Sequence, residues 1–441
     1  MLRRALLTAC AALAALCPAA SAADHVPGEV IVRYHAGTSA HARTAVERAA
    51  GLERPRAFAA RSRVLRVRAG DSVAAAVARL RDRRDVASAA PNYVARAAYV
   101  PNDPGSGIVP GGWQAVQWNF APRTGVDAPG AWDHAAQAGR PGGAGVVVAV
   151  LDTGVAYRTS GRYVRSPDFS ADQFRRGYDF VDEDPHPDDE NGHGTHVAST
   201  IAERVDNGIG VTGLAYGARI MPVRVLNAHG EGDIPAIARG IRFAARHGAD
   251  VINLSFEFGG ALQAADIPEI LSALRFAAGR GVLVVGAAGN AGSTALPYPA
   301  RAREVLSVGA ITERGCMARY SNHGAGLDLV APGGGRDARV PGDANCRPEL
   351  GAGRDIRQMT FIEGLRRFGL PAGYVGTSMA APHVSATAAL VIAAGVLGAA
   401  PAPAAIEAHL RATARDLGPR GRDRHYGAGA LDAAAATAPL A

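Results

Sequence analysis

The stretch Gly145-Val-Val-Val-Ala-Val-Leu151 has no polar side chain and stops on Asp152. A strand that alternates apolar and polar residues keeps one face in water. One that is apolar at every position is buried on both faces, which implies a parallel sheet with helices above and below it. Val282-Leu-Val-Val-Gly-Ala-Ala288 repeats the pattern and stops on Gly289-Asn290. Open α/β sheets carry their chemistry at the carboxyl ends of such strands, so Asp152 and Asn290 stand where functional groups are expected.

Two further segments add to this. Asn191-Gly192 breaks the chain ahead of His193, and Gly194-Thr-His-Val-Ala198 opens an apolar helical run that the pattern extends to about Val205. Gly376-Thr377-Ser378 offers a close backbone approach and N-cap chemistry before a long Ala-rich helix, read as Met379 to Val396. Pro382 falls near the first turn of that helix, where a missing N–H costs least. Ser378 Oγ is a weak nucleophile until a base takes its proton. His193 is the base with a pKa near neutrality, and Asp152 would fix its tautomer and stabilise the imidazolium. The Asn290 amide and the Ser378 backbone N–H can supply an oxyanion site. Singly, each residue has a plain structural reading as a turn Asp, a first-turn His or a capping Ser. Jointly they point to acyl transfer, with activity rising as His193 deprotonates near pH ~6–7.5.

These segments, with Ala287-Ala-Gly-Asn290, Val251-Ile-Asn-Leu-Ser255 and Ala331-Pro-Gly333, resemble the subtilisin-like serine proteases, or subtilases, from about Gln117 to the C-terminus. The order Asp, His, Ser is that of subtilisins, not of chymotrypsin or the α/β-hydrolases. The resemblance implies a three-layer α/β fold with a mostly parallel sheet. It also implies a secreted serine endopeptidase, made as a zymogen, that hydrolyses polypeptides through an acyl-enzyme on Ser378. His196 and His383 accompany the family pattern without a chemical role and read as packed helix residues. Gly230, Glu231 and Gly232, with Ser255, Phe256 and Glu257, match the two segments that hold an extended substrate by its main chain. The family usually has a small residue, commonly Gly, where this chain has Glu257. Turned into the primary pocket, that carboxylate would favour basic residues; turned out by an insertion, it would not.

Calcium is the ion the resemblance implies. Val205, Asn207, Ile209 and Val211 resemble the loop of the family's strong site, with Asp168 as its carboxylate, and the acidic run holding Asp179 and Asp184 resembles a second calcium loop. A solvated acidic loop has the same composition.

The remaining chain organises around this unit. Residues 1–22, with Arg3 and Arg4 ahead of an Ala/Leu stretch and Ala20-Ser-Ala22, read as a cleaved secretory signal; Leu7-Thr-Ala-Cys10 mimics a lipoprotein box too close to Arg4 to be preferred. Residues 23–98 read as a small α+β unit in strand–helix–strand–helix–strand order, with strands at 27–34 and 63–67 and helices at 40–50 and 72–81. It resembles the ferredoxin-like propeptide that acts on subtilases as inhibitor and chaperone. It carries 14 Arg against 7 acids, a net +7, whereas the portion after it carries 31 Arg against 33 acids, a net −2. The charge therefore favours docking of a basic propeptide on its own enzyme, although the arginines could also merely solvate a surface. Nucleic acid is not an expected partner of the mature form. Residues 99–116 read as a turn-rich linker holding the maturation site, and 117–441 as the catalytic domain, a monomer without a membrane span, ending near Tyr426–Asp432 as the family does.

All 47 basic residues are Arg, which excludes Schiff-base, P-loop and Ser-Lys chemistry. In a secreted chain, Cys316 and Cys346 read as one disulfide worth roughly 3 kcal/mol, or alternatively as two free thiols. Two other functions remain open. One is a binding protein on a decayed subtilase scaffold, which no missing catalytic residue supports; the other is an esterase, whose strand-elbow pattern around Ser378 is absent.

Overall fold

The computed structural model describes residues 25–93, 100–105, 107, 111–259 and 262–440; the proposed signal lies outside them. The chain divides into two compact units, 1–97 and 98–440.

The first unit runs β1 (His25–Tyr34), α1 (Ala40–Ala49), β2 (Leu52–Ala59), β3 (Ser62–Val67), α2 (Val73–Arg81) and β4 (Val86–Tyr93). Its antiparallel sheet has the order β2-β3-β1-β4, the ferredoxin-like arrangement. Ser39 and Ser72 cap the two helices through their hydroxyls. The core gathers Val30, Val32, Tyr34, Leu65 and Leu80. The sequence reading lacked β2, a strand that contains Pro55. The sheet tolerates it at an edge, where the register slips between Glu53 and Arg56.

The second unit begins earlier than expected. Trp113, on the short helix α3 (Gly112–Val116), is buried and donates its indole N–H to the Pro101 carbonyl at 2.8 Å. Asp103 is also buried, accepting from the N–H groups of Asp206 and Asn207. Much of the expected linker is therefore part of the folded body.

Beyond it come α4 (Ala128–Gln137), β5 (Val147–Asp152), β6 (Tyr178–Asp179), α5 (His193–Ala202), β7 (Arg219–Arg224), α6 (Ile234–Arg246) and β8 (Val251–Leu254). These are followed by α7 (Pro268–Gly279), β9 (Leu283–Ala287), β10 (Leu306–Ile311), β11 (Leu329–Pro332), the hairpin β12 (Thr360–Glu363) and β13 (Arg367–Gly369), α8 (Thr377–Ala394), α9 (Pro403–Ala412) and α10 (Ala433–Thr437). Seven parallel strands lie in the order β11-β10-β9-β8-β5-β7-β6. From β5 the chain first lays down β6 at one edge, returns to fill in β7 beside β5, then crosses to the other side and builds outward from β8 to β11, so β5 marks the switch point at which such sheets place ligands.

Period two along β5 makes the layers. Val148 and Val150 join the core formed with α4, α5 and α8, while Val147, Ala149 and Leu151 join the core formed with α6 and α7. Helix α8 is long and apolar enough to cross a membrane, but 78% of its span is buried in this fold, as befits a central core helix. Cys316 and Cys346 are disulfide-bonded.

Candidate active site

Asp152 is the last residue of β5 and fully buried. Its Oδ1 accepts from the Thr153 N–H at 2.8 Å and from His193 Nδ1 at 2.7 Å, while its Oδ2 has no hydrogen-bond partner among the described residues. His193 opens α5 directly after Gly192, whose φ of 104° suits glycine. Gly194 permits the approach of helix to strand, since a Cβ there would lie 2.1 Å from the Gly154 carbonyl oxygen.

The N-terminus of α5 is held by Asp189, which the sequence reading left in the acidic run. Its buried carboxylate accepts from the N–H groups of Asn191, Gly192 and Thr195 and from the hydroxyls of Thr153 and Thr195. Thr153 Oγ1 in turn accepts from the Gly194 N–H. One carboxylate thus ties the turn after Asp152 to the helix that presents His193.

Burial alone pushes the His193 imidazole down. The charge of Asp152, the hydrogen bond between the two and the charge of Asp189 outweigh it, so the His193 pKa lies above the ordinary 6.5. The two neighbouring histidines behave oppositely. His196 is lowered to about 3 and His383 to about 4 by burial, so both stay neutral. His196 Nε2 bonds the Ile356 carbonyl and its ring stacks on Tyr374, while His383 bridges Met379 and Asn119. Packed helix residues is what the sequence reading made of them.

Ser378 stands in the first turn of α8, which starts at Thr377, two residues earlier than expected. Pro382 therefore lies in the second turn, and its missing N–H deprives the Ser378 carbonyl of its helical donor. The Ser255 hydroxyl takes that place, donating to the Ser378 carbonyl at 2.8 Å. The Ser378 hydroxyl donates to the Ser255 carbonyl at 3.0 Å rather than to His193. Ser378 and His193 face one cavity of about 370 Å³, and hydroxyl–imidazole bonds in such sites are often completed only in the substrate complex. Asn290 lines the same cavity. Its Oδ1 accepts from the Thr377 N–H at 2.8 Å and the Thr377 hydroxyl at 3.0 Å, which fixes the amide.

Of the substrate segments, Gly230, Ser255, Phe256 and Glu257 line this cavity, joined by His229, which nothing in the sequence singled out. Glu231 and Gly232 line a separate depression with Phe180 and Val225.

The expected calcium ligands divide. Asp168 and Asn207 do meet: Asn207 Nδ2 donates to Asp168 Oδ1 at 2.7 Å and the Val211 N–H to Asp168 Oδ2 at 3.3 Å. Asp168 is fully buried and pushed up to about 7, chiefly by burial, with Asp103 adding to it. Burial, and then the charge of Asp168, push the Glu203 carboxyl up in turn, and the buried Glu203 Oε2 has no partner among the described residues. Such an under-compensated carboxylate beside a carbonyl-bearing loop fits a hard cation. No cluster of three or more His, Cys, Asp or Glu side chains arranged for a metal occurs among the described residues, so the ligands would have to be largely carbonyls.

The second loop does not fit. Asp179 Oδ2 accepts from Arg224 at 2.7 Å and its Oδ1 from the Val181 and Asp182 N–H groups, while Asp184 Oδ1 accepts from the His186 N–H. Arg224 also pairs with Asp182 and Glu190, and Arg158 with Asp188. Arginines from distant positions supply the counter-charge that the sequence reading gave to a metal.

Residues 143–429 match the subtilase family of peptidases, and residues 14–92 match the fervidolysin N-terminal prodomain. Subtilisin BL of Lederbergia lenta is 37% identical over 324 residues, which span 74% of this chain and 99% of the relative. A thermophilic serine proteinase of Bacillus sp. strain AK1 is 33% identical over 372 residues, 84% of this chain and 79% of the relative. Among solved structures, a protease of Pseudoalteromonas arctica PAMC 21717 superimposes with a TM-score of 0.59 at 31% identity, covering 77% of this chain and 99% of that one.

Proposed function

The chain belongs to the subtilase family of serine peptidases and carries an N-terminal prodomain, and from that premise we propose that it is a secreted endopeptidase acting through Asp152, His193 and Ser378. The observation that carries this reading is the 2.7 Å bond from Asp152 to His193, whose imidazole lines the same cavity as Ser378 and Asn290. His193 takes the proton of Ser378 as Oγ attacks the carbonyl carbon, then gives it to the leaving amine; water repeats the sequence to release the acyl group. Asn290 and the Ser378 N–H hold the oxyanion, and the bond from Thr377 to Asn290 Oδ1 leaves the amide N–H₂ for that task.

The prodomain is read as an intramolecular inhibitor, and the enzyme as a monomer acting on polypeptides. Burial of Asp103 and Trp113 in the second unit supports a maturation cut ahead of Pro101, at the early end of the range between about Ala97 and Gln117.

Casein hydrolysis by the purified mature protein, followed against pH, tests the reading. Since the base must be neutral and its pKa is raised, kcat/KM is expected to climb through a single ionisation above pH 6.5 and then level. A flat profile from pH ~5 to 9 would remove His193 as base, and no hydrolysis at any pH would remove the function.

Calcium is proposed at Asp168, Asn207 and the carbonyls of Val205, Ile209 and Val211, where it would supply the missing counter-charge. Excess EDTA is expected to lower the melting temperature by about 5 °C or more, with recovery on adding calcium; an unchanged transition rejects the site.

A further inference from the structure

We propose that Glu257 makes the primary specificity pocket selective for a cationic side chain, arginine or lysine, on the acyl side of the scissile bond. The inference rests on the acyl transfer at Ser378 proposed above and adds the substrate class.

The argument begins with position. Glu257 lies two residues past Ser255, whose carbonyl accepts the Ser378 hydroxyl. The cavity beside Ser378 is walled on one side by Ser255, Phe256 and Glu257 and on the other by Ala287, Gly289 and Asn290. A residue whose carbonyl carbon sits at Ser378 Oγ sends its side chain between these walls.

Glu257 crosses that slot. Its Oε1 accepts from the Asn290 backbone N–H at 3.1 Å. Its Oε2 lies over Gly289, only 2.2 Å from where a Cβ on that residue would be. The carboxylate is therefore turned inward, and glycine at 289, with φ of 95°, leaves the room it occupies. Of the two orientations the sequence left open, this is the one that bears on substrate.

Charge completes the argument. In the loop before His193, Asp179, Asp182, Asp188 and Glu190 are paired with Arg158, Arg162 and Arg224. Glu257 has no ion-pair partner among the described residues, and Oε2 accepts none of the described hydrogen bonds. A guanidinium or ammonium entering the slot gains a charge-assisted bond to this oxygen. An apolar side chain would instead strip water from a carboxylate and return nothing, and an acidic one would meet like charge.

The test uses fluorogenic peptides that differ only in the residue before the scissile bond: Arg, Lys, Gln, Phe or Glu. Each is assayed for kcat/KM with the wild-type mature enzyme and with Glu257→Gln, and casein hydrolysis is measured in the same preparations. Wild type is expected to favour Arg and Lys over Phe by about ten- to a hundredfold. Glu257→Gln, nearly the same size without the charge, is expected to bring the Arg:Phe ratio close to one. That ratio does not depend on how much of a preparation is folded. A wild-type preference for Phe or Gln, or a Gln variant that lowers every substrate by the same factor, overturns the proposal while casein cleavage leaves the peptidase reading standing. Failure to cut casein or any peptide removes both.

Discussion

Ser378→Ala is expected to lower kcat on casein by on the order of a millionfold, the loss recorded when a subtilisin is stripped of its nucleophile or base. The structure explains why this loss should be clean. The Ser378 hydroxyl makes one described hydrogen bond, to the Ser255 carbonyl, whereas the backbone that seats the residue is held by the Ser255 hydroxyl. Alanine keeps that second bond, so α8 stays where it is and the oxyanion donors survive. The variant should also retain its prodomain, readable as an unprocessed intact mass. Residual casein activity above about one per cent of wild type would mean that another group is the nucleophile.

Asp152→Asn is the second large effect, an expected fall in kcat of about ten-thousandfold. Oδ1 accepts from both Thr153 and His193, so the amide oxygen must stay there; the N–H₂ group then replaces Oδ2, a buried position with no acceptor among the described residues. Flipping the amide instead sets N–H against N–H. In either arrangement the negative charge that stabilises the imidazolium is gone. Because that charge is the main influence holding the His193 pKa up, the rising limb of the pH profile should also move to lower pH. A variant whose kcat falls while its pH midpoint stays fixed would show that Asp152 acts only by holding geometry.

How much of this was legible in the sequence depended on whether a feature's cause lay close along the chain. Asp152 and the strand beneath it were readable because seven consecutive residues set both the burial and the end of β5. The disulfide was readable because only two cysteines, Cys316 and Cys346, follow residue 22. The edge strand β2 contains Pro55, a residue that reads as a breaker unless the strand's place in the sheet is known. The acidic run before His193 misled for a related reason. Its partners Arg158, Arg162 and Arg224 come from other parts of the chain, and Asp189 is satisfied by backbone N–H groups that exist only once α5 has formed. The role of Ser255 was hidden because it depends on where α8 starts, and two residues' error in that start moved Pro382 by just over half a turn.

The segment between β11 and α8 is sewn onto α5. Met359 exchanges bonds with Ser199 and Glu203, Thr360 donates to the Gly192 carbonyl, and Ile356 and Tyr374 grip His196. A segment that carries such duties cannot be cut out without loss to α5. Chimeras that remove it would leave the helix that carries His193 with unmet polar groups, so the two pieces must be transplanted together.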